Sequence, residues 1–127
     1  MGVTVSTIAD PLGTKLVIDT DSDATPELDV TGAATVIYAV EIDNTANTAS
    51  TYVKIVDNAA AVSGVTEPDI VLCAGGGVKQ SYMIGSGFPI AARLSFWAVK
   101  SPYSLLADDA DSAISPASDV VVKILCT

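Results

Sequence analysis

Histidine is absent from the chain, and this absence limits the chemistry that the protein can perform. Without an imidazole, the chain can assemble neither a Ser-His-Asp triad nor a Cys-His nucleophile. Paired carboxylates remain, as in glycosidases, but the acidic residues cluster in loops of a chain that is short for a deep substrate cleft. The sequence therefore predicts a protein that is not an enzyme, and it offers no candidate catalytic or cofactor-binding residue.

Cysteine is scarce as well, and the two that are present, Cys73 and Cys126, lack the spacing of a zinc or redox motif. Because no histidine could complete a zinc site, we expect no bound zinc. The favoured interpretation is that both cysteines are small buried apolar side chains. A disulfide between neighbouring strands is left open as the alternative.

Basic residues are few, since 6 Lys and Arg stand against 15 Asp and Glu and give a net charge of −9. Such a charge repels a phosphate backbone, so nucleic acid is not an expected partner. No apolar stretch approaches the roughly 20 residues that a membrane-spanning helix needs, so no membrane partner is expected. The N-terminus lacks a basic region followed by an apolar run, and we therefore expect synthesis in the cytoplasm without a secretory signal.

Apolar residues recur at every second position in many short segments, and no long segment has apolar residues at helical spacing. This pattern predicts strands. The strands are expected at residues 3–8, 15–19, 35–43, 51–56, 69–73, 78–84, 91–100 and 119–126. About eight strands at this spacing predict an all-β fold, an antiparallel β-sandwich of the jelly-roll or immunoglobulin-like type.

The connections between these segments are rich in turn-forming residues. The polar residues 44–50 predict a hairpin, and the three glycines at 75–77 predict another tight hairpin turn. Residues 101–118 are expected to be mainly loop, with a short helical turn near 104–107. The strand at 91–100 is apolar on both faces and is expected in the middle of a sheet or against a partner.

An acidic loop at residues 19–29 is the place where the sequence suggests a ligand. Its alternating carboxylates resemble the start of an EF-hand calcium loop, but glycine is missing at the sixth position and glutamate at the twelfth, so an EF-hand is excluded. A looser oxygen cage could still hold calcium, against the alternative of a plain solvated loop. The candidate ligands are Asp19, Asp21, Asp23 and either Glu27 or Asp29. A second acidic loop at residues 108–111 is expected to be solvated.

A series of short motifs separated by turns runs through residues 35–126. The motifs are Val-Glu-Ile-Asp-Asn-Thr-Ala-Asn at 40–47, Tyr-Val-Lys-Ile at 52–55, Pro-Asp-Ile-Val-Leu at 68–72, a glycine-rich turn, Leu-Ser-Phe at 94–96, Ala-Val at 98–99, Ser-Pro at 115–116 and Val-Val-Val-Lys-Ile at 120–124. In this order they resemble small β-sandwich virion proteins of tailed bacteriophages. The likeness is one of strands and turns and includes no catalytic motif.

The resemblance implies a capsid decoration or cement protein on the surface of the virion. Such a protein stabilises the head by bridging subunits of the major capsid protein, and it is often a homotrimer. Residues 35–127 would form the β-sandwich core, whereas residues 1–34 would supply an N-terminal arm and the first strands, in contact with the shell or another partner, within one domain overall.

Two alternatives stay open. The protein could be a phage tail or baseplate component, or it could be a carbohydrate-binding or adhesive β-sandwich module. The second would need an exposed aromatic platform, although aromatic residues make up only 6% of the chain. The available rings are Tyr38, Tyr52, Tyr82, Trp97 and Tyr103.

Overall fold

The computed structural model describes residues 14–127, which form seven strands and one short 3-10 helix. The strands are β1 (Lys15–Ser22), β2 (Thr35–Asp43), β3 (Thr51–Asp57), β4 (Ile70–Ala74), β5 (Lys79–Ile90), β6 (Leu94–Val99) and β7 (Val120–Cys126), and the 3-10 helix is Ala110–Ala113. The all-β prediction is confirmed. The short turn expected near residues 104–107 is present, since the amides of Asp108 and Asp109 both donate to the carbonyl oxygen of Leu105, at 3.1 and 3.2 Å. The 3-10 helix follows it, and the strand predicted at residues 3–8 lies outside the described residues.

Two antiparallel sheets face each other across an apolar core. The four-stranded sheet has the order β1-β7-β2-β5, and the three-stranded sheet has the order β4-β3-β6. Alternate residues of each strand point inward: Val120, Val122 and Ile124 do so on β7, and Val53 and Phe96 belong to the same core in the other sheet. The structure is therefore the predicted antiparallel β-sandwich.

Residues 23–30, which we name the edge segment, run as an irregular extra strand beside β6. The main chains of Glu27 and Phe96 exchange two hydrogen bonds, at 2.8 and 3.1 Å, and Val30 N donates to Leu94 O at 2.9 Å. With this segment counted between β1 and β2, the order of strands in both sheets is that of a jelly roll. An immunoglobulin-like sandwich would pair its first two strands, whereas here β1 pairs with β7.

The two predicted hairpins are wrong, because both connections cross from one sheet to the other. Residues 44–50 lead from β2 in the four-stranded sheet to β3 in the three-stranded sheet, and residues 75–78 lead from β4 back to β5. The buried Asn44 side chain holds the two connections together, since its amide donates to the carbonyl oxygens of Ala49 and Ala74, each at 3.0 Å. Polar and glycine-rich composition predicts a reversal of the chain but not the sheet that the chain enters next.

Strand β5 continues past its predicted end as far as Ile90. Gly87 takes a positive φ of 79° within the strand, and the pairing of β2 with β5 shifts register between Ile37 and Ala39. Pro89 is tolerated because β5 is an edge strand. The glycine and proline residues that predicted an end therefore mark a bulge in a longer strand.

Strand β6 is buried on both faces, in agreement with its apolar pattern. Phe96 packs in the core between the sheets, whereas Trp97 and Val99 pack with Val56 and Ala61 in a second cluster on the outer face of the three-stranded sheet. The chain's own loops complete this outer cluster. β6 has β3 on one side and the edge segment on the other, which confirms the prediction of a strand in the middle of a sheet.

The two cysteines lie in different sheets and are both free thiols. Cys126 is fully buried in the core, as expected for a small apolar side chain, while Cys73 on β4 is only half-buried. The alternative of a disulfide between neighbouring strands therefore does not apply, since β4 and β7 are not neighbours.

Candidate functional site

Two carboxylates of the acidic loop at residues 19–29, that of the half-buried Asp19 and that of the exposed Glu27, come together at one edge of the sandwich. Asp19 on β1 lies opposite the core residue Val122 in the sheet register, so its side chain is on the inner side of the four-stranded sheet. Glu27 in the edge segment lies opposite the core residue Phe96 and is on the inner side of the other sheet. The jelly-roll topology thus brings residues from two separate strands to one edge of the sandwich.

Three of the five candidate calcium ligands come together, because one carboxylate oxygen each of Asp19, Asp21 and Glu27 lie within 4.8 Å of one another. The other two are engaged elsewhere. Asp23 accepts a hydrogen bond from a main-chain amide two residues along the chain at 2.8 Å. Asp29 lies 3.4 Å from the Nε atom of an arginine on the neighbouring loop.

The hydrogen-bonding capacity of the Asp19 carboxylate is only partly used. Its Oδ1 accepts a hydrogen bond from Asp21 N at 3.2 Å, whereas Oδ2 is buried and has no hydrogen-bond partner among the described residues. The Ser22 hydroxyl is likewise buried without a partner there, on a residue that is 2% exposed. Burial and the carboxyls of Asp21 and Glu27 raise the pKa of Asp19 to about 6, while the Asp21 amide and the nearby Ser22 hydroxyl oppose the shift. The cluster therefore favours the uptake of a proton or a cation.

An apolar row crosses the outer face of the four-stranded sheet. The sheet register places Leu16, Leu125, Ala39 and Met83 side by side on β1, β7, β2 and β5, and Ile18 extends the row along β1. Met83 is 70% exposed, Leu16 57% and Ile18 53%. These five residues, which we name the apolar row, form a shallow apolar strip open to solvent.

The charged residues beside the apolar row are paired with one another. Lys123 Nζ lies 3.9 Å from the Glu41 carboxylate, and Lys79 Nζ lies 3.8 Å from the Asp43 carboxylate. Each pair joins residues that are opposite in register on neighbouring strands. These pairs balance charge beside the row, although the chain as a whole carries a net charge of −9.

The aromatic rings considered for a sugar-binding platform do not share an exposed surface. Trp97 is buried beneath loops on the outer face of the three-stranded sheet. Tyr38, Tyr52 and Tyr82 are half-buried, and the Tyr82 hydroxyl donates to a main-chain carbonyl of β4. Of the five rings, Tyr103 alone is largely exposed, at 57%.

Sequence reasoning did not identify Lys54, which is completely buried. Alternation along β3 places it on the face opposite the core, and nothing in the sequence indicated that a loop would cover that face. The Lys54 ammonium group donates to the main-chain oxygen of Tyr103, and Asp109 of the second acidic loop is half-buried nearby. Hydrogen bonds from the Asp111 amide and the Ser101 hydroxyl lower the pKa of Asp109, and the charge of Lys54 adds to the effect.

Comparison of the chain with protein-family models, with curated proteins and with solved structures found no match. Within residues 14–127, no helix is both long and apolar enough to cross a membrane.

Proposed function

We propose that the protein is a capsid decoration protein of a tailed-phage virion, and that it attaches to subunits of the major capsid protein through the apolar row. The observation that carries the proposal is the exposure of this row, with Met83 at 70%, Leu16 at 57% and Ile18 at 53%. In the other sheet, the chain's own loops cover the outer side of β6 and much of β3, whereas this strip is open. Contiguous exposed apolar surface on a soluble domain is typical of a binding site for another macromolecule.

The shape and charge of this face favour a protein partner. A strip across four neighbouring strands is broad and shallow, which suits an extended protein surface better than a small molecule held in a cleft. The pairs Lys123–Glu41 and Lys79–Asp43 balance the charges on this face. Charged residues are depleted at the centre of protein interfaces, so this balance suits a contact with another protein. Most of the excess negative charge would then face solvent, where its repulsion would keep virions apart in solution.

The choice of a virion shell as the partner is supported by the resemblance of residues 35–126 to small virion proteins of tailed phages. Jelly rolls occur in viral capsid domains and also in lectins, so the fold alone does not decide between these roles. The dispersed aromatic rings give no support to the carbohydrate-binding alternative. A homotrimer would let one decoration unit bridge several shell subunits, and closed symmetry is the usual form of such an assembly.

The proposal is tested by mass spectrometry of purified virions of the phage that encodes the chain, with heads and tails separated. We expect the protein in the head fraction in many copies. Recovery in tails alone would overturn the decoration role in favour of a tail or baseplate component. Absence from both fractions would overturn a role in the virion altogether.

A further inference from the structure

We propose that Asp19, Asp21, Glu27 and Ser22 form a calcium site that joins β1 to the edge segment. This inference is independent of the proposed function, because it concerns the closure of the sandwich edge and can be tested on the isolated protein. Asp19 and Glu27 reach the site from opposite sheets, so a bound ion would link the two layers where the irregular edge segment makes few main-chain bonds.

The spacing of the carboxylates fits one ion. Calcium binds oxygen at about 2.4 Å, so two of its ligands are separated by at most about 4.8 Å. One oxygen each of Asp19, Asp21 and Glu27 lie within 4.8 Å of one another. The three carboxylates therefore meet the necessary spacing for one shared ion, with small side-chain adjustments bringing them to bonding distance, and water would fill the remaining places of its six to eight ligands.

A second observation points to a ligand at the same place. The Ser22 side chain is 2% exposed, yet its Oγ atom has no hydrogen-bond partner among the described residues. Ser22 lies opposite the core residue Val120, and Asp19 lies opposite Val122, so the two side chains are on the same inner side of β1. The buried Oδ2 atom of Asp19 is also without a partner. The Ser22 hydroxyl lies close enough to the Asp19 carboxylate to lower its pKa, so one cation at this place would contact both oxygens.

The donor set selects calcium among the common metal ions. All four side chains offer oxygen, which hard cations prefer, and neither the imidazole nor the thiolate that zinc prefers is present in the cluster. Magnesium requires a near-ideal octahedron at about 2.1 Å and retains its water, whereas calcium accepts irregular cages. The competing explanation for the close approach of the carboxylates is a single proton that they share, without any metal.

The experiment is thermal unfolding of the full chain at pH 7.5 in physiological NaCl, after treatment with EDTA and with either CaCl₂ or MgCl₂ added. A ligand that binds only the folded state raises the melting temperature, by roughly 10 °C when calcium is at about 100 times its dissociation constant. We expect a shift of this size with calcium and a much smaller one with magnesium. Isothermal titration calorimetry should give one calcium ion per chain.

Two variants, Asp19→Asn and Glu27→Gln, locate the site. Each replaces a charged carboxylate with a neutral amide, which binds calcium more weakly, and also relieves repulsion within the cluster. Each variant should therefore fold without calcium at least as well as the parent and should show a much smaller calcium shift. Asp23→Asn is the matched control: it makes the same change of charge outside the cluster, and its side-chain oxygen can still accept the main-chain hydrogen bond. The control should keep the shift.

Three results would overturn the proposal. An unchanged melting temperature of the parent in calcium, together with stabilised Asp19→Asn and Glu27→Gln proteins, would show that the carboxylates share a proton only. Equal shifts in calcium and magnesium would show general screening of an acidic protein. A calcium shift that is undiminished in both variants would place the ion elsewhere.

Discussion

Lys54, completely buried on the outer side of the three-stranded sheet, donates a hydrogen bond from its ammonium group to the main-chain oxygen of Tyr103. Because Tyr103 belongs to the loop that follows β6, this bond holds the loop over the sheet. Burial lowers the pKa of Lys54, and the negative charge of Asp109 opposes that shift. A lysine in this position therefore serves as a structural anchor of the fold.

Truncation of this anchor should weaken the fold. Lys54→Ala removes the bond to Tyr103 and leaves a cavity, and we expect a loss of about 2–4 kcal/mol in the free energy of unfolding. Lys54→Met keeps most of the volume and removes the buried charge, so its loss should stay below about 1.5 kcal/mol. Urea unfolding measures both values. The exposed Lys100→Ala is the control, and a Lys54→Ala protein as stable as that control would refute the anchoring role.

Gly76 lies where the two connections between the sheets touch. A Cβ atom on this residue would collide with the main-chain carbonyl of Thr48, which cannot move without displacing the loop around Asn44. Gly76→Ala should therefore destabilise the protein by about 2–4 kcal/mol, as measured by urea unfolding. Gly85→Ala is the matched control, since its Cβ would meet nothing within 4 Å. Equal stability of the two variants would show that the close approach is not required.

Asp57, at the end of β3, receives hydrogen bonds from three successive main-chain amides between β5 and β6, those of Ala91, Ala92 and Arg93, at 2.7 to 3.3 Å. The Arg93 amide, followed by the other two, lowers the pKa of Asp57 below its usual value. Asp57→Ala should lower the melting temperature at neutral pH. Glu67→Ala, at an exposed acid on another loop, should leave it unchanged.

The sign of the pH dependence follows from the lowered pKa of Asp57. The folded state holds the proton less tightly than the unfolded chain, so the carboxylate stabilises the fold fully above its usual pKa of 3.8. This contribution is lost as pH falls from there through the lower pKa of the folded state. The difference in melting temperature between the parent and Asp57→Ala should shrink over that acidic range. A difference that grew towards low pH would contradict the assignment.

The sequence predicted the strands well but not how they are arranged. Alternation identifies the segment Thr35–Asp43 because one face must be apolar, and that requirement is local. The crossing of the chain at Asn44 depends on contacts with a turn about 30 residues away, which no local pattern encodes. The same limit applies to Lys54, whose burial depends on a distant loop.

For the candidate sites too, the sequence supplies the residue types but not their arrangement in space. The acidic composition of residues 19–29 left both a calcium cage and a plain solvated loop open, whereas the register of β1 and of the edge segment decided that Asp19, Asp21 and Glu27 converge and that Asp23 does not. The apolar row could not be predicted, since its residues come from four strands whose order follows from the jelly-roll topology.

The attachment of the apolar row to a virion shell is tested most directly by the binding of three proteins to capsids from a phage in which the gene is deleted. Met83→Lys places a charge in the row, while Val65→Lys makes the same change at a residue outside the row that is 62% exposed. Both changes are on the surface, so thermal unfolding should show intact folds. We predict that the parent and Val65→Lys bind capsids with equal affinity and that Met83→Lys binds at least about ten-fold more weakly. Equal binding by all three proteins, or no binding by the parent, would contradict the account.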